Sequence, residues 1–288
     1  MDPLAYCRDK AAPEGSSLHY ALLFAGAPER EALLALAAYR AEVLEVPREV
    51  SDPGVGAVKL KWWQEELERL FAGQPRHPVS QALAPVIERH GFAREPFAEV
   101  IEAARMDLEY GSYPALRELT VYCHRAGGLA ELARRVGGPD TPQTAAFAHD
   151  LAMGLELTRL LRHLGRDIAA GRVYIPEADL AAEGLTREDL LARRDSEALR
   201  RVLAVQGQRA RDFLDSAIRR LPRPARRRQR PALVLAVLYR RLLAVMAEDD
   251  HPQLERRHHL TPLRKLWLAW RSARRPERIR PLPSETAE

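Results

Sequence analysis

The chain has 288 residues, 46 % of them hydrophobic and 30 % charged, with a net charge of +5. That length leaves room for one large domain. No run approaches the roughly 18–20 apolar residues of a membrane span, the opening Met1–Cys7 lacks a basic region followed by an apolar core, and two cysteines, Cys7 and Cys123, exclude a disulfide framework or a zinc cluster and suit a reducing cytoplasm.

Helical periodicity runs nearly throughout, strand alternation is absent, and Ala and Leu favour helix. The first predicted helix spans Glu29–Val46, with a stripe of Leu33, Leu36, Ala37, Val43 and Leu44, and Pro47 is expected to kink or end it. Ser51–Gly54 makes a turn into a helix carrying Leu60, Trp62, Trp63, Leu67, Leu70 and Phe71, which ends near Gly73. Trp62 and Trp63 face different ways, so one belongs in the core and the other rims a groove. Helices follow from Pro78 towards Gly91, from Glu95 or Pro96 towards Tyr110, and from Ala115 to Val136. Thr141-Pro142 caps and opens a helix to about Ala170, and Val173–Pro176 is a short extended piece. Thr186 caps a helix, Glu197–Arg220 forms a long one, and Pro231–Ala247 and Pro262–Ala273 close the series. On the last of these, Trp267 and Trp270 are expected to pack together. The expectation is an all-α, single-domain helical bundle over residues 1–275 around a central cavity, followed by a flexible Pro-rich, charged tail over 276–288.

Arginine gathers in Arg219–Arg230 and again in Arg256–Arg280. Such clusters hold nucleic acid, acidic lipid or diphosphate, or simply form solvated faces. Nucleic acid is not expected, because interleaved aromatics and a recognisable module are missing. Arg226–Arg230 lies between prolines and reads as a solvated loop, able to touch acidic headgroups at roughly 1 kcal/mol per basic residue. His258-His259 reads as an exposed pair. Asp107 and Asp167, if buried, need partners, with Arg105 or Arg162 as candidates.

Several segments, in this order and spacing, carry a resemblance. They are Asp2–Cys7 through Lys10–Pro13 to Gly15–Tyr20, then Lys59–Trp63 with Gly73–Val79, then Met106–Leu108, Tyr122–Gly127, Gly171–Pro176 and Leu260–Trp270. Together they resemble the squalene/phytoene synthase family, most of all its bacterial presqualene diphosphate synthases. Leu18-His19 stands where that group usually has an aromatic pair. The resemblance implies an all-α isoprenoid-synthase bundle that joins two prenyl diphosphates of the farnesyl class head to head. Two facing acidic motifs would hold Mg²⁺ on the diphosphates, and carboxylates four apart share a helix face for that purpose. It implies substrate-binding positions at Ser16, Ser17, Tyr20, Arg40, Tyr122, Arg159, Arg162, His163, Arg166, Arg172 and Tyr174.

The two acidic motifs are where the sequence departs. The first falls in Glu42–Glu49: its paired aspartates land on Leu44 and Glu45 and a later one on Arg48, with Pro47 inside the motif. In the second, the Asn lands on Arg159, an Asp on His163 and the Glu on Arg166, while Arg162 and Asp167 are retained. Glu45 and Asp167 are therefore the remnant catalytic acids and could hold at most a weak Mg²⁺; no cofactor is otherwise expected. At about 4 Å and an effective dielectric near 20, each charge reversal exchanges an attraction of roughly 4 kcal/mol for repulsion. Mg²⁺-dependent condensation is expected to be lost or much reduced. Arg159, Arg162, His163 and Arg166 would form one stripe, either gripping a diphosphate without metal or pairing across the old cavity with Glu42, Glu45 and Glu49. An active synthase with an altered motif is one alternative. Another follows from non-catalytic relatives that assemble a respiratory complex: they also lack the aspartate pairs and share the Trp62-Trp63 helix, so a protein partner is the expectation there. The expected location is cytoplasmic, or peripheral to the inner face of the membrane.

Overall fold

Capping residues and prolines set most helix starts. The computed structural model describes residues 2–138, 141–249, 254 and 257–281. Asp2 caps α1 (Pro3–Ala11) by accepting from the amides of Leu4 and Ala5, and Ser16 caps α2 (Ser17–Leu22) through the amide of His19. Neither helix was expected from the periodicity. Next come α3 (Ala27–Glu49), α4 (Pro53–Phe71), α5 (Pro78–His90) and α6 (Glu95–Glu109), each with proline in its first turn. Pro47 does not end α3: the helix runs on to Glu49, with the proline in its last turn and its carbonyl accepting from Arg172.

The predicted helix over 115–136 is two: α7 (Leu116–Ala126) and α8 (Leu129–Gly137), parted at Gly127-Gly128. A Cβ on Gly127 would lie 2.9 Å from the Ala152 Cβ, so the break lets this corner meet the neighbouring helix. Likewise the helix expected to reach residue 170 divides at His163 into α9 (Pro142–Arg162) and α10 (Leu164–Ala169). Short α11 (Glu177–Ala182) and α12 (Arg187–Leu191) lead to α13 (Glu197–Arg220), α14 (Arg230–Glu248) and α15 (Pro262–Arg274). No strand occurs among the described residues.

The all-helical bundle expected from the pattern is therefore what forms. The most extensive helix pair is α9 against α13, where Gly154 lets Leu214 approach so closely that an added Cβ would lie 2.6 Å from its Cγ. On the other side α3 packs on α1, α5, α6 and α8, while α14 packs on α2, α9, α13 and α15. Residues 276–281 are not a free tail. The buried Arg226 guanidinium donates to the carbonyl of Ile279 (2.7 Å), and Arg240 donates to that of Arg280 (2.9 Å). Arg226 thus belongs to the core rather than to a solvated loop. Residues 282–288 and Arg256 lie outside the described residues.

The Trp motif is structural. Trp63 is buried edge-on to Tyr39, while the exposed Trp62 carries Arg69 over its ring. One turn on, buried Glu66 accepts from the amides of Arg76 and His77 (2.8 and 2.7 Å) and from Arg69, which ties the turn over 73–77 to α4. The tryptophans of α15 do not pack together: both are exposed, each beneath an arginine. His258 is buried and bonded to Asp249 (3.1 Å), so only His259 of that pair is exposed.

Candidate functional site: an apolar cavity with a cationic wall

A cavity of about 700 Å³ opens between α2, α3, α8, α9 and α14, and α15 closes one side. Its floor is mostly alanine and leucine, including Leu33, Ala37, Ala133, Leu151 and Leu235, with Phe147 among them. Small side chains on facing helices leave the space that larger ones would fill.

Two polar groups of residues interrupt this surface. The first is a buried ion triad that the sequence reading missed. Glu156, 2 % exposed on α9, accepts from Arg159 (2.8 and 2.6 Å) and from Arg40 of α3, whose Nε also holds the Ala126 carbonyl (2.6 Å). Burial pushes the Glu156 carboxyl up, but Arg159 and Arg40 outweigh it and hold it at about 2. One carboxylate between two guanidiniums leaves one positive charge in excess, and all three side chains line the cavity. Its signal was legible: Glu156 and Arg159 stand three apart on one helix face.

The second group holds three cations. Arg162, Arg257 and Lys265 line the same cavity, as does His259. Arg162 Nε donates to the His258 carbonyl (2.9 Å) and Lys265 Nζ to the Gly15 carbonyl (2.6 Å). No described carboxylate pairs with Arg162, Arg257 or Lys265. Burial first, and then the other two cations, lower the proton affinity of Lys265; burial and Arg257 do the same to Arg162.

The expected stripe of Arg159, Arg162, His163 and Arg166 is not continuous, because the chain leaves helical geometry at His163. Arg159 and Arg162 line the cavity; His163 and Arg166 do not. Arg166 turns back onto buried Asp167 (2.9 Å), whose other oxygen has no partner, and neither imidazole nitrogen of His163 has one. Burial, then Arg166, Arg159, Arg257 and Arg162, push the His163 imidazole down to about 2, so it stays neutral.

Glu42, Glu45 and Glu49 do not reach across to this basic face. Lys10 of α1 takes both Glu45 (2.6 Å) and Glu42 (3.1 Å), Tyr6 donates to Glu42, and Lys59 takes Glu49 (3.3 Å). The pairing expected across the cavity is thus replaced by pairing with α1, a helix the sequence reading did not see.

Tyr122, Arg172 and Tyr174 also sit off the cavity. Tyr174 and Tyr122 donate to the buried Asp107 carboxylate (2.5 and 3.1 Å), Arg159 donates to the Tyr122 hydroxyl (3.2 Å), and Arg172 donates to the Asp107 carbonyl (3.2 Å). Asp107 therefore takes tyrosines, not Arg105 or Arg162, as partners. Burial pushes its carboxyl up, against the pull of Tyr174 and Arg48. Through Tyr122 this cluster orients Arg159. Ser16 and Ser17 line the cavity beside Lys265, whereas Tyr20 packs into a separate apolar cluster under α14 and α15.

The residues present do not fit a Mg²⁺ cluster. Neither Glu45 nor Asp167 lines the cavity, and Glu45 is held by Lys10. The carboxylates that do line it are Glu29 and Glu156, and Glu156 is saturated by two guanidiniums. Among the described residues, no three His, Cys, Asp or Glu side chains converge as a metal site. What the donor set can do is hold an anion by N–H donation beside an apolar chain.

Comparison with known proteins places this scaffold. The squalene/phytoene synthase family model matches residues 11–264. The 15-cis-phytoene synthase of Synechococcus elongatus is 27 % identical over 274 residues, covering 90 % of this chain and 89 % of that protein. Phytoene synthase 1 of Arabidopsis thaliana, a chloroplast protein, is 32 % identical over 211 residues; the match covers 71 % of this chain but only half of that longer relative. Among solved structures, squalene synthase HpnC from Alicyclobacillus acidocaldarius superposes with a TM-score of 0.75 at 26 % identity, covering 86 % of this chain and 94 % of that one. A dehydrosqualene synthase reaches 0.83 over 96 % of this chain and 97 % of its own, and at 18 % identity it speaks for the fold alone. With the family model running from the end of α1 into α15, across every helix that lines the cavity, the chain belongs to the squalene/phytoene synthase family.

Proposed function

We propose that this protein binds an isoprenoid with an anionic head, of the prenyl diphosphate class, and holds that head by cations instead of metal. The observation that carries the reading is the juxtaposition, in one cavity, of an apolar floor with Arg162, Arg257 and Lys265, cations that no described carboxylate pairs. Its volume of about 700 Å³ lies within the roughly 300–1,000 Å³ usual for small-molecule sites. The chain would lie along α3, α9 and α14, with the head against α15.

Ionisation of the substrate C–O bond is not expected, because guanidinium and ammonium groups hold a diphosphate without the Lewis acidity of a metal cluster. Arg159, which stands where the family's second motif has its Asn, is already committed to Glu156 and Tyr122. The protein would thus receive, shield or hand on a prenyl diphosphate.

Calorimetry with farnesyl diphosphate tests this, run in chelator and again in Mg²⁺, with farnesol and inorganic diphosphate alongside. The expected result is binding of farnesyl diphosphate in chelator, little changed by Mg²⁺ and weakened roughly tenfold or more in Arg162→Ser or Lys265→Met, as a lost charge-assisted hydrogen bond implies. Absence of binding in both media overturns the reading. Formation of presqualene diphosphate at ordinary enzyme rates would overturn the metal-free part and establish an active synthase.

A further inference from the structure

The final long helix is packed inside out. Its inward face is Lys265, Ala269, Ser272 and Ala273, all buried. Four of its five large apolar side chains face solvent: Leu263 is 81 % exposed, Leu266 43 %, Trp267 51 % and Trp270 48 %, and Leu268 alone packs against a buried cluster. The exposed four stand at i, i+3, i+4 and i+7, so they form one continuous stripe along a 13-residue helix. A solvated helix normally turns such side chains to the core.

Cations border this stripe. Arg271 lies over the Trp267 ring at 5.2 Å and Arg274 over the Trp270 ring at 5.4 Å. Arg264, Arg271, Arg274, Arg275 and Arg278 make no ion pair with a described carboxylate. Beside the stripe, a groove of about 920 Å³ is lined by Trp270, Arg271, Arg274, Arg278 and Arg280. The nearby acids are spent elsewhere, Asp215 on Arg240, Glu248 on Arg241 and Glu277 on Arg227.

We propose that α15 docks this protein flat on an anionic bilayer, its Leu and Trp side chains entering the interface and its arginines meeting lipid phosphates. The chemistry is that of an interfacial helix: a row of leucine and tryptophan at acyl-boundary depth, and guanidiniums that extend to the headgroups. No described helix is long and apolar enough to cross the membrane, so contact would be from one side. Charge complementarity selects lipid as the occupant. A second copy of the chain would set this uncompensated row of arginines against itself, and an aqueous protein face would need a matching acidic surface. Lys265 projects from the opposite side of the same helix into the cavity, so docking would bring the cavity wall next to the bilayer.

The test uses the full chain without any isoprenoid, so its outcome is independent of what the cavity holds. Co-sedimentation compares phosphatidylcholine vesicles with vesicles that also contain phosphatidylglycerol, and brominated lipids report tryptophan depth. The expected result is binding to the anionic vesicles, weakened by salt, with quenching of tryptophan fluorescence. Trp267→Ser/Trp270→Ser should lose roughly tenfold or more in affinity, as burial of large apolar side chains implies. Arg271→Ser and Arg274→Ser should each lose roughly fivefold. These side chains are exposed, and far-ultraviolet circular dichroism confirms that each variant is folded. No preference for anionic vesicles, or undiminished binding by the tryptophan variant, overturns the proposal. So does an equal loss in Arg227→Ser/Arg228→Ser, which would move docking to that loop. A concentration-dependent dimer abolished by Trp267→Ser/Trp270→Ser would also overturn it, by assigning the face to a second copy.

Discussion

Replacing Glu156 by Gln removes one charge and no volume, so it isolates the electrostatics of the buried triad. Glu156 is 2 % exposed, and Arg159 and Arg40 lower its carboxyl from an ordinary 4.5 to about 2 against the cost of burial. That depression corresponds to about 3 kcal/mol, at about 1.4 kcal/mol for each tenfold change in proton affinity. Leaving the Arg159 guanidinium buried without its counter-charge gives a similar figure, roughly 3–5 kcal/mol for breaking a buried pair. The sign follows from the depressed folded value. The contribution is complete above the unfolded value near 4.5 and is lost as pH falls towards about 2. Urea unfolding at neutral pH should therefore show Glu156→Gln less stable by about 3 kcal/mol, and thermal melting should drop by roughly 5–10 °C for a chain of this size. Between pH 5 and 2 the variant should lose less stability than the parent, because this titration is gone. A variant within about 1 kcal/mol of the parent at neutral pH, or one with the same acid slope, would refute the account of the triad.

His163 predicts a second acid-sensitive contribution of different origin. Its imidazole is held neutral, at about 2, by burial and four arginines, so the unfolded chain takes up a proton that the folded chain refuses. The penalty is absent above the usual histidine range and grows as pH falls through it, reaching about 2 kcal/mol at pH 5. His163→Leu should flatten stability against pH between about 6.5 and 4, read by denaturant midpoints; an unchanged slope there would count against it. Gly154→Ala should destabilise by roughly 1–2 kcal/mol despite alanine's better helix propensity, because its Cβ would meet Leu214 Cγ at 2.6 Å and the Leu214 amide nitrogen at 3.0 Å. A neutral or higher melting temperature would show that α13 can retreat.

The helical class and the family were readable in the chain, because they rest on signals local along it. Capping residues before proline mark helix starts whatever packs around them, as at Asp52, Thr141 and Thr261. The departure from the family's acidic motifs is likewise an expectation from residue identity, resting on Leu44, Arg48, Arg159, His163 and Arg166. Breaks in helices were legible only in part. Gly127-Gly128 and His163 interrupt helices whose apolar periodicity continues on both sides of the break.

Partnership was decided by the fold. Charge reversal in the second motif suggested that its arginines would meet the glutamates of the first, yet Lys10 from an unexpected α1 takes Glu42 and Glu45, and Glu156 takes Arg159. Coulomb attraction falls with distance, so the counter-charge that wins is the one the backbone brings to within about 3 Å, and sequence separation says little about that. The same holds for Arg257 and Lys265, distant in sequence from Arg162 but lining one wall with it. For α15, composition alone announces an amphipathic helix. Only its packing on α2 and α14 shows that Lys265 and the small side chains turn inward and the tryptophans outward, because which face is covered depends on helices distant in sequence.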